Sequence, residues 1–341
     1  MAPVTNGRLL FTGIPEVYAI AGKDNVYDTS ETIDLDNVPL NGGMLFKILV
    51  LSIDPYLRDK MRGPDSDAGE SAYKLGKPIE GFGVGEILRS ENSQHPAGSH
   101  LVGWFPFQQY WVGNSVQYSY PVAPMKGVPW SAHVGVAGMP GSTGYMGWKE
   151  FSKAKAGETV FVSAAAGCVG ATVAQLAKAE GLKVIGSAGT DEKVEFLKSI
   201  GVDVAFNYKK VDTNEVLKKE GPIDIYWDNV GGPTLDAALA NSNRYSRFIE
   251  CGMLTVYNGG ETYTMKNLNM IYRSEITVSG FTIPSLMPKY PEFYVEVPKL
   301  ISEGKMKFNE DITVGLENAG AAFEANQLGK STGKSIVLVA E

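Results

Sequence analysis

The chain has 341 residues, a formal net charge of −7 and 44% hydrophobic residues. That length exceeds a usual single core, so two domains are expected, and the negative balance argues against nucleic acid or an anionic membrane surface as a partner. No apolar run approaches the about 18 residues of a membrane span, no charged n-region with an apolar core opens the chain, and the two cysteines, Cys168 and Cys251, read as small buried thiols rather than a disulfide; together these favour a reducing, cytoplasmic setting.

Residues 1 to about 130 do not read as alternating strands and helices. Gly13-Ile14-Pro15, Gly42-Gly43 and Gly81-Phe82-Gly83-Val84-Gly85 punctuate short β-rich runs, the longest being Met44–Ile53. The pattern suits a bent, mostly antiparallel sheet. Asp54-Pro55-Tyr56-Leu57-Arg58-Asp59-Lys60-Met61 leaves that strand as a loop, a common place for site residues. Arg58 is expected in a structural ion pair. Gly138 to Tyr145 turns to small residues and turn chemistry.

At Val160-Phe161-Val162 a buried strand is expected, followed by the small-residue turn Ser163–Gly170 and a helix with apolar positions Val169, Val173, Leu176 and Ala177 that stops at Gly181. Strand, tight turn and helix is the context of a dinucleotide fingerprint, here Ala165-x-Gly167-x-x-Gly170 with Ala in the first place. Ala165 serves the tight turn, Gly167 lets backbone N–H groups approach a pyrophosphate, and Gly170 lets the helix pack on the strand. The helix N-terminus, with Gly167, Cys168, Val169 and Gly170, offers its amides to phosphate. An ordinary βα turn is the alternative, and the alternation that follows argues against it. Strands are expected at 183–187, 202–206, 223–228, 247–252 and 276–281, with a helix at 191–200. A helix at 291–302 should be kinked or shortened by Pro298. A helix at 319–327 and a strand at 335–340 end the chain.

Ligands bind at the carboxyl ends of parallel strands, so Asn229 and the segment Gly252 to Tyr257 should face a cofactor. The strand after the glycine turn ends in Gly186-Ser187-Ala188-Gly189-Thr190 without an acid, so a phosphate can sit where an NAD enzyme would hold a ribose hydroxyl. Lys193 can offer an ammonium there and Tyr208 a hydroxyl; a solvated surface Lys193 is the alternative. The two cysteines and three histidines, His95, His100 and His133, form no plausible metal cluster, and the histidines read as loop or interdomain residues.

Several segments, in order and spacing, carry a resemblance. They are Asp54–Met61, Gly81–Gly85, Met139-Pro140-Gly141, Ala164–Gly170, Gly189–Lys193, Phe206-Asn207-Tyr208, Asp228-Asn229-Val230-Gly231-Gly232 and Tyr257-Asn258. With these the chain resembles the zinc-independent branch of the medium-chain dehydrogenase/reductases. More narrowly, it is similar to the NADPH-dependent alkenal and enone double-bond reductases, among them the prostaglandin reductases and plant double-bond reductases. The resemblance implies an α/β chain: a doubly wound Rossmann domain (131–305) and a discontinuous, mostly antiparallel GroES-like domain (1–130, completed by 306–341). It implies NADP(H) as cofactor, no metal, a homodimer, and Lys193 and Tyr208 at the 2′-phosphate. Cys251, Gly252 and Phe281 join the cofactor set. Tyr257 matches the family's proposed catalytic tyrosine, and Tyr56 is expected to line the substrate pocket. Tyr145, Tyr290 and Tyr294 are further candidates for the pocket wall. Where the family tail has an Asn before a Gly-Lys pair, this chain has Ser331 before Gly333-Lys334.

The implied reaction is hydride transfer to the β-carbon of an enal or enone, with a hydroxyl stabilising the enolate oxygen. Tyr257 and the cofactor ribose compete for that role. A quinone reductase of the same superfamily, or a non-catalytic NADPH-binding protein, are the alternatives.

Overall fold

The structure is a computed structural model that describes residues 2–66, 68–259 and 263–340. The chain divides into two units, Met1–Gly135 with Glu310–Glu341, and Val136–Asn309.

The first unit is built on a seven-stranded sheet. Its order is Glu310–Val314, Lys334–Leu338, Met44–Ser52, Glu80–Ser90, His100–Pro106 and Gln117–Val122, with Tyr110–Gly113 also pairing to Met44–Ser52. Only the two tail strands run parallel to each other; every other pairing is antiparallel. The glycines of Gly81–Gly85 have a specific use. At period two, Gly81, Gly83 and Gly85 share one face of their strand. A Cβ on Gly83 would lie 2.8 Å from Val50 O, and one on Gly85 3.0 Å from Phe46 and 3.1 Å from Phe105. The missing side chains make room for the Phe46–Phe105 edge-to-face pair, whose centroids are 5.2 Å apart in the core. After Met44–Ser52 the chain does not loop freely: Pro55–Met61 is a 3-10 helix. Arg58 is buried there and donates from its Nε to Val17 O and from a terminal nitrogen to Pro15 O, each at 3.0 Å. It pins a backbone segment, and among the described residues it forms no ion pair of the kind expected. His100 begins a strand and stacks on Trp130, and His133 is buried in the helical turn Trp130–Val134, so neither is a loop residue.

The second unit holds a six-stranded sheet, parallel throughout. The order is Val204–Asn207, Lys183–Ala188, Thr159–Val162, Ile223–Asp228, Ser242–Glu250 and Thr277–Gly280. The winding reverses between Thr159–Val162 and Ile223–Asp228, which makes the crevice at their carboxyl ends the binding position of this architecture. Helices Cys168–Ala179 and Asp191–Ser199 follow the first two strands of the domain. Gly181 and Gly201 take positive φ just past them and stop them.

One expectation needs correction, and the bounds of a second helix, expected at 291–302, are set by the structure. Met139–Phe151 is a 13-residue helix, not a turn. Gly144 and Gly147 lie on its packed face. A Cβ on Gly144 would meet Val169 O at 2.9 Å, and one on Gly147 would meet Phe281 at 2.5 Å and Trp227 at 2.7 Å. The glycines are there for close packing, and burial outweighs their poor helix propensity. Pro298 does not end its helix, which runs from Phe293 to Ser302 with Pro298 on the buried face beside Val297 and Ile301. Packing of that face offsets the hydrogen bond the proline removes.

Candidate active site

The phosphate turn lies in the second unit at the end of Thr159–Val162. The left-handed residue is Ala164, at φ 46°, one position before the alanine expected to make the turn. Ala165 is instead fully buried under the turn. Gly167 is the N-cap of Cys168–Ala179, and no side chain caps that first turn. A Cβ on Gly167 would touch only Ala164 O, at 3.4 Å, so the position is open to a ligand. A Cβ on Gly170 would lie 2.7 Å from both Ala164 O and Ala165 Cα. Only glycine lets the helix start this close to the strand. An open, uncapped helix N-terminus fits a pyrophosphate, so this turn suits the dinucleotide that the resemblance implies.

At the end of Lys183–Ala188, Gly189 and Tyr208 come together, a Cβ on Gly189 lying 3.3 Å from the Tyr208 hydroxyl. Half of Tyr208 remains exposed. Thr190 caps the next helix by accepting from the Lys193 N–H at 3.3 Å, which sets Lys193 in the first turn. Of the two neighbouring acids, Asp191 and Glu192, the first is committed elsewhere. Asp191 pairs with Lys210 and accepts from Asn207 Nδ2 at 2.9 Å, and the Lys210 and Asn207 bonds hold its carboxyl below the usual range. The first turn of this helix therefore carries Lys193 with two acids, Asp191 and Glu192, of which Asp191 is paired to Lys210.

The third corner is the end of Ile223–Asp228. Asn229 N–H donates to Ser163 Oγ at 2.9 Å, Asn229 Nδ2 donates to Ser163 O at 2.7 Å, and Asn229 Oδ1 accepts from Trp227 Nε1 at 3.1 Å. Asn229 thus ties its turn to the phosphate turn. Cys251 and Gly252 both donate their N–H groups to Asp228 O, at 3.0 and 3.2 Å. Tyr257 closes the helical turn Leu254–Tyr257 instead of lying in a loop. That turn is laced to the Asn229 segment: Leu254 N–H donates to Asn229 O at 3.1 Å, and Thr255 Oγ1 to Val230 O at 2.8 Å. A Cβ on Gly252 would lie 3.0 Å from the Tyr257 hydroxyl, so a side chain there would press that hydroxyl aside by a few tenths of an ångström. Asn229, Cys251, Gly252 and Tyr257 are therefore one cluster. Phe281 lies just past Thr277–Gly280 and packs its ring on Trp227 and Phe151, at 5.9 and 5.5 Å between centroids. Burial and the carboxylates of Asp228 and Glu250 push the Cys251 thiol up to about 12, so it is inert at neutral pH. Tyr145 and Tyr290 are spent on carboxylates, donating to Glu296 at 2.5 Å and Glu150 at 2.6 Å.

Tyr294 lies in the helix Phe293–Ser302 of the second unit, its ring edge-on to Phe293 at 5.1 Å between centroids; Tyr56 and Ser331 belong to the first unit. Tyr56 is the second residue of Pro55–Met61, and its hydroxyl sits 3.5 Å from Asp54 Oδ2. Burial, with the Asp54 charge beside it, raises its pKa well above the ordinary value, so it remains a donor. Asp54 also accepts from Ser52 Oγ at 2.5 Å and pairs with Lys334 at 3.2 Å. Ser331 is buried three residues ahead of Lys334, 3.5 Å from Asn326 Nδ2.

Several partners were not singled out from sequence. Ser163 gave no signal beyond being small. Asp236 holds the segment beyond Tyr257: Oδ1 accepts from the N–H groups of Lys266 and Asn267, at 2.9 and 2.8 Å, and Oδ2 from the Tyr263 hydroxyl at 3.1 Å. Lys334 was visible in a Gly-Lys pair, but not its partner Asp54. Among the described residues, no group of three or more His, Cys, Asp or Glu could hold a metal ion.

Comparison with known proteins gives two family matches, "Zinc-binding dehydrogenase" over residues 168–301 and "N-terminal domain of oxidoreductase" over residues 29–119. The chain is 38% identical to an NADP(+)-dependent 2-alkenal reductase of Nicotiana tabacum over 324 residues, which is 92% of this chain and 94% of that protein. It is 39% identical to (+)-pulegone reductase of Mentha piperita over 309 residues, 88% of each chain. Among solved structures it is similar to CurA of Vibrio vulnificus in complex with NADPH, with a TM-score of 0.87, 29% identity, and coverage of 98% of this chain and 99% of that one.

Proposed function

The chain belongs to the zinc-independent branch of the medium-chain dehydrogenase/reductases, and from that membership we infer that it uses NADPH to reduce the C=C bond of α,β-unsaturated aldehydes and ketones. Full-length similarity to NADP-dependent alkenal and enone reductases carries this reading. Bound NADPH supplies a hydride from the nicotinamide. The chain's part is to bind, orient and donate. Gly167, Cys168, Val169 and Gly170 present the helix N-terminus to the pyrophosphate. Gly189, Lys193 and Tyr208 take the 2′-phosphate. Asn229, Cys251, Gly252, Phe281 and Ser331 complete the cofactor set. Tyr257 offers its hydroxyl to the substrate carbonyl oxygen as charge builds there, and Tyr56 lines the substrate pocket.

The test is NADPH consumption against a panel of enals, enones, quinones and saturated aldehydes, with products identified by mass and NMR. Saturated carbonyl product from enals or enones, with saturated aldehydes untouched, is expected. Turnover with quinones alone would overturn the reading. Lys193→Ala is expected to raise the KM for NADPH by about tenfold or more, and that for NADH by less than about twofold, because a charge-assisted bond to the phosphate is lost only in the first. Steady-state kinetics with both cofactors check this, and equal effects would remove Lys193 from the phosphate.

We also propose a cytoplasmic homodimer. Two cysteines that form no disulfide among the described residues support the compartment. The edge strand Thr277–Gly280, with Val278 exposed, supports self-association. Among the described residues no helix is long and apolar enough to cross a membrane.

A further inference from the structure

Asp228 and Glu250 are register partners at the carboxyl ends of two adjacent parallel strands. Asp228 is fully buried. Its Oδ1 collects four donors: the Tyr226 hydroxyl at 2.7 Å, Ser163 Oγ at 3.2 Å, and the N–H groups of Val230 and Gly231, both at 2.8 Å. One carboxylate oxygen therefore shapes the turn that follows Asn229. Asp228 Oδ2 and both oxygens of Glu250 are buried and have no donor among the described residues. As register partners on parallel strands, the two side chains leave the sheet on the same face, which sets the Glu250 carboxyl beside that of Asp228. Two such carboxylates side by side cannot both be ionised at low cost; one proton between them satisfies the orphaned oxygens. Four donors on Oδ1 make Asp228 the anion, which leaves Glu250 as the acid.

We propose that Glu250 is a positioning residue for cofactor binding: as a neutral carboxylic acid it donates its proton to Asp228 Oδ2 and locks the carboxylate in the orientation that shapes the Asn229–Gly232 turn. The inference rests on the reading that this turn faces NADPH. Burial and the Asp228 charge push the Glu250 pKa from 4.5 up to about 8. Among the described residues, the charged groups of the surrounding elements have partners of their own, Asp224 accepting from the Thr159 N–H at 2.8 Å and from Asn243 Nδ2 at 2.6 Å. Tyr226 and Cys251 are themselves pushed upward by burial and by these carboxyls, and stay neutral. On the same strand, Arg244 pairs with Glu275 and Arg247 with Glu158. The neighbouring strand Thr277–Gly280 has no titratable side chain. Helix Met139–Phe151, which also packs on the Glu250 strand, gives Tyr145 to Glu296, Lys149 to Glu292 and Glu296, and Glu150 to Lys289 and Tyr290.

The sign follows from linkage. The folded chain holds a proton that the unfolded chain releases above about pH 4.5. The stabilisation is complete below that pH and is lost as pH rises toward about 8, the folding constant falling by up to about tenfold per pH unit.

The experiment compares wild type with Glu250→Gln and Glu250→Ala between pH 7 and 9. It reads the thermal midpoint without cofactor, the NADPH dissociation constant by tryptophan fluorescence, and the infrared carbonyl band of a protonated carboxylic acid. In wild type the midpoint should fall and the NADPH dissociation constant rise by up to about tenfold across the window. In Glu250→Gln both should be flat, because the amide donates at every pH, and the acid band should vanish. Glu250→Ala should bind NADPH about tenfold more weakly than Glu250→Gln throughout, since Asp228 Oδ2 is left without a donor. Parallel pH curves in wild type and Glu250→Gln, or an acid band at pH 7 that survives the substitution, would overturn the proposal. Failure to bind NADPH at all would instead strike the functional reading, and the midpoint and the infrared band would still judge Glu250.

Discussion

Lys334→Ala is expected to destabilise the first unit by about 3–5 kcal/mol, the range for removing one partner of a buried ion pair. The side chains of Lys334 and Asp54 are only 6% and 4% exposed. The Lys334 ammonium uses its three protons on Ile53 O at 2.7 Å, Ser335 O at 2.9 Å and Asp54 Oδ1 at 3.2 Å. Truncation leaves a buried carboxylate with Ser52 as its close donor and a strand-end carbonyl with none from Lys334. The damage lands where the central strand hands over to Pro55–Met61, the helix that carries Tyr56. Urea denaturation followed by fluorescence measures it. Combining Lys334→Met with Asp54→Asn should cost less than the sum of the single changes, because the uncompensated charge goes with its partner. A loss below about 1 kcal/mol in Lys334→Ala would mean that water reaches Asp54 and that the pair behaves as a surface bridge.

That pair also marks where sequence reasoning stops. Lys334 and Ile53 are 281 positions apart, and nothing local in Gly333-Lys334 names its partner. The parallel sheet was legible because buried strands such as Val160-Phe161-Val162 are continuous apolar runs, and glycines with positive φ end the helices after them. The strand–turn–helix unit at Thr159–Ala179 was legible because Gly167 and Gly170 are its short-range demands. Met139–Phe151 was misread because Gly141, Gly144 and Gly147 look like turn residues until Val169, Trp227 and Phe281 are known to press against that helix. For the same reason Ser163, Asp236 and Glu250 had no signature. Each acts through a partner on another strand or segment, and a hydroxyl or carboxyl reads alike in solvent and in a buried network.

The cluster at Tyr257 shows how such hidden partners bear on chemistry. The turn Leu254–Tyr257 is fastened through Leu254 and Thr255 to the segment whose shape depends on Asp228 Oδ1, and Asp236 fastens the chain again at Lys266 and Asn267. Tyr257 thus sits in a turn fastened at its start, with its hydroxyl over Gly252, and a side chain held in this way would lose little freedom on meeting a substrate oxygen.

Tyr257→Phe is therefore expected to lower kcat by about 100-fold, the lower end for removing a preorganised donor to a developing oxyanion. The KM for NADPH should change by less than about twofold, because the ring is retained and the residues proposed to hold the phosphates lie at the other strand ends. The thermal midpoint should stay near that of wild type, which separates lost chemistry from lost structure. Tyr56→Phe is the matched comparison. Its hydroxyl, beside Asp54, is also a protonated donor, and a fall in kcat there with Tyr257→Phe unaffected would move the role to the first unit. Single-turnover reduction of an enal followed at 340 nm, in water and in deuterium oxide, isolates the step. If both variants turn over at the wild-type rate, the enolate is stabilised by the cofactor ribose hydroxyl or by water, and Tyr257 is left to shape the nicotinamide end of the cleft.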